Sequence, residues 1–192
     1  MKLIVGLNNP GSRYAKTRHN IGGRVIEVLA RKSKAHWKSS QSLKSHWTEV
    51  EESGISFVLA LPDLFMNESG KAVRALVNHF GIDFKSDLLV VMDDAALPLG
   101  KLRLRASGTD GGHRGLRSIE EALGSRDYTR LRVGIAPSRP TEKPLEEYVL
   151  SPFEKEEEAK LKEILERAAA ACHSWLTDPI EKALDRTNRP VS

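Results

Sequence analysis

The 192 residues predict an α/β fold: a single domain with a twisted mixed β-sheet flanked by helices. Three observations carry that expectation. Apolar runs of strand length alternate along the chain with stretches of helical periodicity. One run, Leu88-Leu89-Val90-Val91-Met92, is apolar without alternation, as in a central strand covered on both faces. No internal repeat, and no linker long enough to separate a second domain, interrupts the pattern, so residues 1–192 read as one domain.

Residues 2–7, rich in Ile, Leu and Val, read as a buried strand. Asn8-Asn9-Pro10-Gly11 stops it with a turn that exposes two carboxamides. A basic segment, Arg13 to Arg18, leads to His19-Asn20-Ile21-Gly22-Gly23, which opens a helix reaching about residue 32. Ile21, Val25, Val28 and Leu29 form its buried face. Residues 36–44, polar and rich in Ser and Lys, read as a loop. Strands at 45–51 and 55–61 make a hairpin around Ser53-Gly54, and Pro62-Asp63 ends the second. Leu64-Phe65-Met66-Asn67 then enters a helix over 69–80, striped by Val73, Leu76, Val77 and Phe80 and closed by Gly81.

The central strand spans 87–94. Residues 100–105 alternate, Leu102 and Leu104 on one side and Lys101, Arg103 and Arg105 on the other, as in a half-exposed strand with a basic outer face. A glycine-bearing loop at 106–112 precedes a short helix to Leu123, a strand at 128–136 and a Pro-bearing loop at 137–144. Ser151-Pro152 is the expected start of the last long helix, Ser as N-cap and Pro in first position. Leu161, Ile164, Leu165, Ala168, Cys172 and Trp175 line its buried face, and the charged run 154–160 its solvated one. Pro179 separates it from a final helix at 180–186.

Composition excludes several classes. Hydrophobic residues at 40% and charged ones at 29% belong to a folded chain rather than a disordered one. One cysteine, Cys172, allows neither an internal disulfide nor a multi-cysteine zinc site, and its alanine neighbours mark it as a buried small residue. No apolar run approaches the roughly 18 residues of a membrane span. Met1-Lys2-Leu3 leads straight into a strand, so no signal peptide and a cytoplasmic location are expected, with the Asn67-Glu68-Ser69 sequon unused. The net charge of +4 weakly favours an anionic partner.

Four polar clusters each follow a strand: Asn8-Asn9, Phe65-Met66-Asn67, Asp93-Asp94 and Gly111-Gly112-His113-Arg114. Open α/β sheets build sites at the carboxyl ends of strands, so these clusters are candidates for convergence. Together they supply a base, a carboxylate to orient it and amides to hold a polar substrate. There is no serine elbow, no Walker loop and no metal-ligand spacing, which leaves direct attack by water rather than a covalent route. Imidazole titrates near neutral pH, which makes His19 a candidate general base, and Asp93 would stabilise the imidazolium that forms. Each residue also has a plainer reading. His19 would cap or pack, Asp93 and Asn9 would shape turns, Asn67 would cap a helix and His113 would be structural. Arg103 with Arg105, and Arg130 with Arg132, share strand faces by period two; with Arg114 and Arg117 they suit phosphates or form an ordinary basic surface.

Taken together, Val5-Gly6-Leu7-Asn8-Asn9-Pro10-Gly11, Tyr14 with Thr17-Arg18-His19-Asn20, Phe65-Met66-Asn67-Glu68-Ser69-Gly70 and Gly111-Gly112-His113-Arg114-Gly115-Leu116 closely resemble the bacterial peptidyl-tRNA hydrolase family. Asp93-Asp94, Leu97-Pro98 and Arg130-Leu131-Arg132-Val133-Gly134-Ile135 extend the match, which covers about residues 2–188. The resemblance implies cleavage of the ester joining a peptide to the 3′ end of tRNA, so that tRNA is recycled. It implies His19 as the base, Asp93 as its support, and Asn9 as the reader of a blocked amino group. Tyr14, Phe65, Met66, Asn67, His113 and Arg114 would contact the peptidyl-tRNA end, and Arg103, Arg105, Arg130 and Arg132 the tRNA phosphates. It further implies no metal, no organic cofactor and a monomer. Arg114 stands where the family pattern has Asn, so pairing with Asp93 or Asp94, or contact with a tRNA phosphate, are its expected roles. That departure sustains the alternative of a non-catalytic RNA-binding relative. Ala95-Ala96 and Asp110 depart from the pattern as well.

Overall fold

In the computed structural model, which describes residues 1–137 and 141–189, the apolar runs pair into one mixed sheet. Its strands are β1 (Lys2–Gly6), β2 (Lys38–Ser40), β3 (Ser45–Glu52), β4 (Ile55–Pro62), β5 (Leu88–Pro98), β6 (Leu102–Arg105) and β7 (Thr129–Ala136). The order is β2-β3-β4-β1-β5-β7-β6. The four middle strands run parallel, while the β2–β3–β4 side and the β6 edge are antiparallel. The helices are α1 (Ile21–Lys32), α2 (Ser69–Phe80), α3 (Phe84–Asp87), α4 (Arg114–Leu123), α5 (Leu145–Val149), α6 (Lys155–Thr177) and α7 (Ile180–Asn188).

Strand alternation divides the core into two layers. Ile4, Leu59, Leu89, Val91, Leu131 and Val133 face α1 and α6, whereas Leu3, Val5, Val58, Leu88, Val90 and Met92 face α2 and α4. Both faces of β1 and β5 are thus covered, which is why their sequences are apolar without alternation. Gly22 sets how closely α1 approaches the sheet. A Cβ there would lie 2.3 Å from the Val91 carbonyl oxygen, so any larger residue would push the helix off β5.

Most elements match the sequence reading, with four differences. The expected loop at 36–44 contains β2, a three-residue strand on the exposed margin. Two short helices, α3 and α5, lie where no periodicity is long enough to announce them. Of the expected loop at 137–144, residues 138–140 lie outside the described residues. The last long helix does not start at Ser151-Pro152. It starts at Lys155, capped by Glu154 in a reciprocal capping box with Glu157.

The cause of that last difference is tertiary. Phe153 is drawn into the core, and Arg18 stacks between the Tyr148 and Phe153 rings at 4.4 and 4.8 Å. Arg18 also pairs with Glu157 at 2.7 Å, which anchors the first turn of α6. The Ser151 hydroxyl donates to the Tyr148 carbonyl instead of capping a helix.

Candidate active site

β1 sits at the centre of the sheet, with the chain returning on one side as β4 and on the other as β5. The crevice at this change of direction collects three of the four polar clusters, and the start of α4 brings the fourth. Asn9, Tyr14, His19, Phe65, Met66, Asn67, Asp93, His113 and Arg114 all line one cavity of about 650 Å³.

Asp93 is at its floor, 2% exposed, where the continuous buried run of β5 ends. One carboxylate oxygen, Oδ1, receives both His19 Nδ1 at 2.8 Å and His113 Nε2 at 3.0 Å. Burial pushes the Asp93 carboxyl upward, but the charges and hydrogen bonds of the two histidines outweigh it and hold the group well below the usual carboxylate range. Asp93 is therefore an anion that accepts from both rings.

The two histidines differ in what their other nitrogens do. His113 is the N-cap of α4, and its Nδ1 accepts from the amides of Gly115 at 3.1 Å and Leu116 at 3.3 Å. That nitrogen must carry a lone pair, so the proton of His113 sits on Nε2 and points at Asp93. His19 uses Nδ1–H for Asp93, and its Nε2 has no hydrogen-bond partner among the described residues. The result is a basic nitrogen in the cavity, with its tautomer set by a buried carboxylate. His19, Asp93 and His113 place ligand atoms within 4.8 Å of one another, a spacing that a metal would accept. The engaged Nδ1 and protonated Nε2 of His113 do not fit that use, because a ligand nitrogen needs a free lone pair.

Asn9 is oriented as firmly. Its backbone N–H donates to Asn20 Oδ1 at 2.8 Å, and Asn20 Nδ2 returns a bond to the Asn9 carbonyl at 2.9 Å. The Asn9 side-chain oxygen accepts from the Met66 amide at 2.8 Å. Since that amide can only donate, the oxygen must face it, and Nδ2 is left as a donor for whatever fills the cavity. Tyr14 and Phe65 meet edge to face, ring centroids 6.2 Å apart, and form an apolar rim with Phe65 48% exposed. Met66 is buried behind them, and Asn67 is exposed on the same wall.

A sequence profile described as Peptidyl-tRNA hydrolase matches residues 3–192. The chain belongs to the peptidyl-tRNA hydrolase family.

Among curated relatives, it is 43% identical over 190 residues to the peptidyl-tRNA hydrolase of Syntrophomonas wolfei, covering 98% of this chain and all (100%) of that one. It is 46% identical to that of Roseiflexus castenholzii, covering 99% of this chain and 88% of the relative. The crystal structure of peptidyl-tRNA hydrolase from Acinetobacter baumannii superposes with a TM-score of 0.90 at 29% identity, over 98% of this chain and 94% of that one. The mixed α/β sheet is therefore that of the peptidyl-tRNA hydrolase family.

The basic residues separate into two kinds. Arg103 pairs in register with Arg132, and Arg105 with Arg130, so all four share one face of the β6–β7 ladder. Arg103 and Arg105 are accessible on the edge strand. Arg132 is partly covered and reaches Asp94 at 3.4 Å and the Thr109 carbonyl at 3.2 Å. Arg130 corrects the sequence reading of a phosphate contact: it is fully buried, bonded to the carbonyls of Thr109 and Arg126, stacked on Tyr128 and paired with Glu120 at 3.5 Å. Period-two spacing put it on the right face, but α4 and the 106–112 loop cover that position.

Arg114 also departs from expectation. It pairs with neither Asp93 nor Asp94; its guanidinium reaches Glu146 of α5, and both side chains are exposed on the rim of the cavity. Asp94 is held by Arg132 and the Ala96 amide. Sequence reasoning missed three features of the site: Asn20, the partner of Asn9; Glu146; and the apolar wall of Leu145, Val149 and Leu150. Asn20 was visible beside His19. A five-residue helix such as α5 leaves no periodic signal.

Proposed function

We infer that the chain is an enzyme that hydrolyses the ester between a peptide, or an N-blocked aminoacyl group, and the 3′ end of tRNA, recycling the tRNA. The observation that carries this reading is the Asp93–His19 pair, which leaves His19 Nε2 as a base inside a cavity rimmed by amides and aromatic rings. Family membership supplies the substrate class.

In this reading water lies between His19 Nε2 and the ester carbonyl. Its oxygen attacks the carbonyl carbon while its proton passes to Nε2, and Asp93 stabilises the imidazolium. The tetrahedral intermediate collapses by breaking the bond to the ribose oxygen, which takes the proton from His19. Asn9 Nδ2 donates to the carbonyl of the first peptide bond. A free aminoacyl group lacks that carbonyl and would bring an ammonium against the apolar rim, so it binds less well. Phe65, Tyr14, Met66 and the α5 residues receive the peptide, and Asn67 and His113 border the ester. Arg103, Arg105 and Arg132 meet phosphates of the acceptor stem. With Arg114 held by Glu146, Asp93 stays with its histidines, and the non-catalytic alternative is not favoured.

We further read residues 1–192 as one catalytic domain acting as a monomer in the cytoplasm. Among the described residues no helix is long and apolar enough to cross a membrane. Release of peptide from purified N-acetyl-aminoacyl-tRNA tests the function. His19→Ala is expected to lower kcat by about 10²- to 10⁴-fold with little change in KM. No release by the wild type, or equal release by the variant, would overturn it.

A further inference from the structure

The base of the reaction sits on a segment that cannot fix its own position. Arg18–Asn20 form a single 3-10 turn, and a turn of that length has too few internal hydrogen bonds to be stable alone. From the cleft side Asp93 holds it through the His19 imidazole. From the other side it is held by Arg18. Successive side chains of a 3-10 turn point about 120° apart, so Arg18 leaves the backbone in a different direction from His19. It enters the interior against residues 148–157, where it is 2% exposed.

The contacts of Arg18 join three parts of the molecule. Its guanidinium lies 4.4 Å from the centre of the Tyr148 ring and 4.8 Å from that of Phe153, while Nη2 pairs with Glu157 at 2.7 Å. Its backbone N–H donates to the Ser151 carbonyl at 3.0 Å, and Thr17 bridges to Pro152. Tyr148 belongs to α5, whose Leu145 and Val149 line the catalytic cavity, and its hydroxyl donates to the Ile135 carbonyl of β7 at 2.6 Å. The turn of the base, the apolar wall and the start of α6 thus meet on one side chain. Stability alone is a poor reason for a charge here. Arg18 Nη1 is buried with no partner among the described residues, and apolar groups of similar volume often replace a buried ion pair at no cost. What they cannot supply is a flat group that engages two rings and a carboxylate in fixed directions.

We propose that Arg18 is a positioning residue for the reaction: it ties the turn that carries His19 to the α5 wall, which sets the distance between the base and a peptide resting on that wall. The inference rests on the peptidyl-tRNA reading above. A displacement of about 1 Å at a reacting group can cost on the order of 100-fold in rate. The clamp therefore acts on kcat, while tRNA affinity is left to other arginines.

Two variants test it. Arg18→Lys keeps a charge for Glu157 and loses the planar group between the rings. Phe153→Leu keeps every charge and removes one ring. On N-acetyl-aminoacyl-tRNA, kcat should fall at least about tenfold in Arg18→Lys and about three- to fivefold in Phe153→Leu, with KM within about twofold in both. Circular dichroism should show both variants folded. In proton NMR, the downfield signal of the Nδ1–H that His19 donates to Asp93 should broaden or vanish in folded Arg18→Lys. A residue that only stabilises the fold would leave that signal and kcat as they are in wild type. Wild-type kcat with an unchanged signal in folded Arg18→Lys, or a loss confined to KM, overturns the proposal. If wild type releases no peptide, the functional reading fails, and the NMR comparison still decides whether Arg18 positions His19. Should Arg18→Lys fail to fold, Phe153→Leu carries both measurements.

Discussion

The floor of the cleft and the β6 edge both depend on charge, and they use it in opposite ways. In the cleft a single anion, Asp93, is removed from water and kept ionised by two histidine donors on one oxygen. At the edge, Arg105 stays in solvent and Arg103 partly so, where salt screens them and neither is tied to a fixed partner among the described residues. The buried charge is strong and immobile, so it can set a tautomer and a geometry. The exposed charges are weak singly and adaptable, which suits a polyanion whose phosphates are spread over a long surface. Arg130 makes the contrast within one strand: two residues from Arg132, it has crossed from the second kind to the first.

The largest effect should come from Asp93→Asn. The amide can still accept from both rings through one oxygen, but it carries no charge to stabilise the imidazolium of His19, so kcat should fall at least about 100-fold, and removing the anion from this buried network should cost on the order of 3 kcal/mol. The pH dependence has a definite sign. The folded carboxyl lies below its unfolded value, so its contribution is present above about pH 4, where the unfolded carboxyl is also ionised, and is lost as pH falls further. Urea melts should show the full gap between wild type and variant at pH 7 and a smaller one at pH 3. An equal gap at both would disprove the assignment.

Arg130→Ala comes next. It takes the side-chain donor from the Arg126 carbonyl, leaves Glu120 and the Thr109 carbonyl with only Arg126 and Arg132, and empties a fully buried position, so the midpoint of thermal unfolding should drop by several degrees while the salt slope of tRNA binding stays as it was. A flattened slope would return Arg130 to the phosphate surface. Arg103→Ala and Arg105→Ala should do the reverse: unchanged melting, severalfold weaker tRNA binding at low salt, and a slope reduced by about one each. Binding that is unaffected at low ionic strength would remove them from the interface. The smallest change is expected from Arg114→Asn, which releases an exposed pair at the rim. Melting should be unaltered and kcat within about threefold. A gain of tenfold or more in kcat would show that the Arg114–Glu146 contact restrains the cleft.

Much of this was legible because it is local. β1, α2 and β5 announce themselves through periodicity and flanking turn residues, and each polar cluster sits directly behind its strand. What was not legible depends on residues far apart in the chain. His19 and Asp93 are 74 positions apart, and nothing between them in sequence says that one carboxylate oxygen also takes His113. The start of α6 was misplaced because Ser-Pro is a sound local cap signal, yet burying Phe153 and stacking Arg18 outweigh one cap. Arg114 was assigned partners within the polar clusters, while its actual partner belongs to a helix too short to be seen.

The sequence by itself determined where the long strands and helices lie, which of their residues are buried, and which side chains are chemically fit for a hydrolytic site. Those properties follow from backbone periodicity and side-chain chemistry, which are set within a few residues. Only the tertiary structure decided which arginines remain at the surface, which nitrogen of His19 is left basic and which amide of Asn9 is free. Each of these is a question of what covers, charges or hydrogen-bonds a group, and the answer comes from elements brought together only by folding.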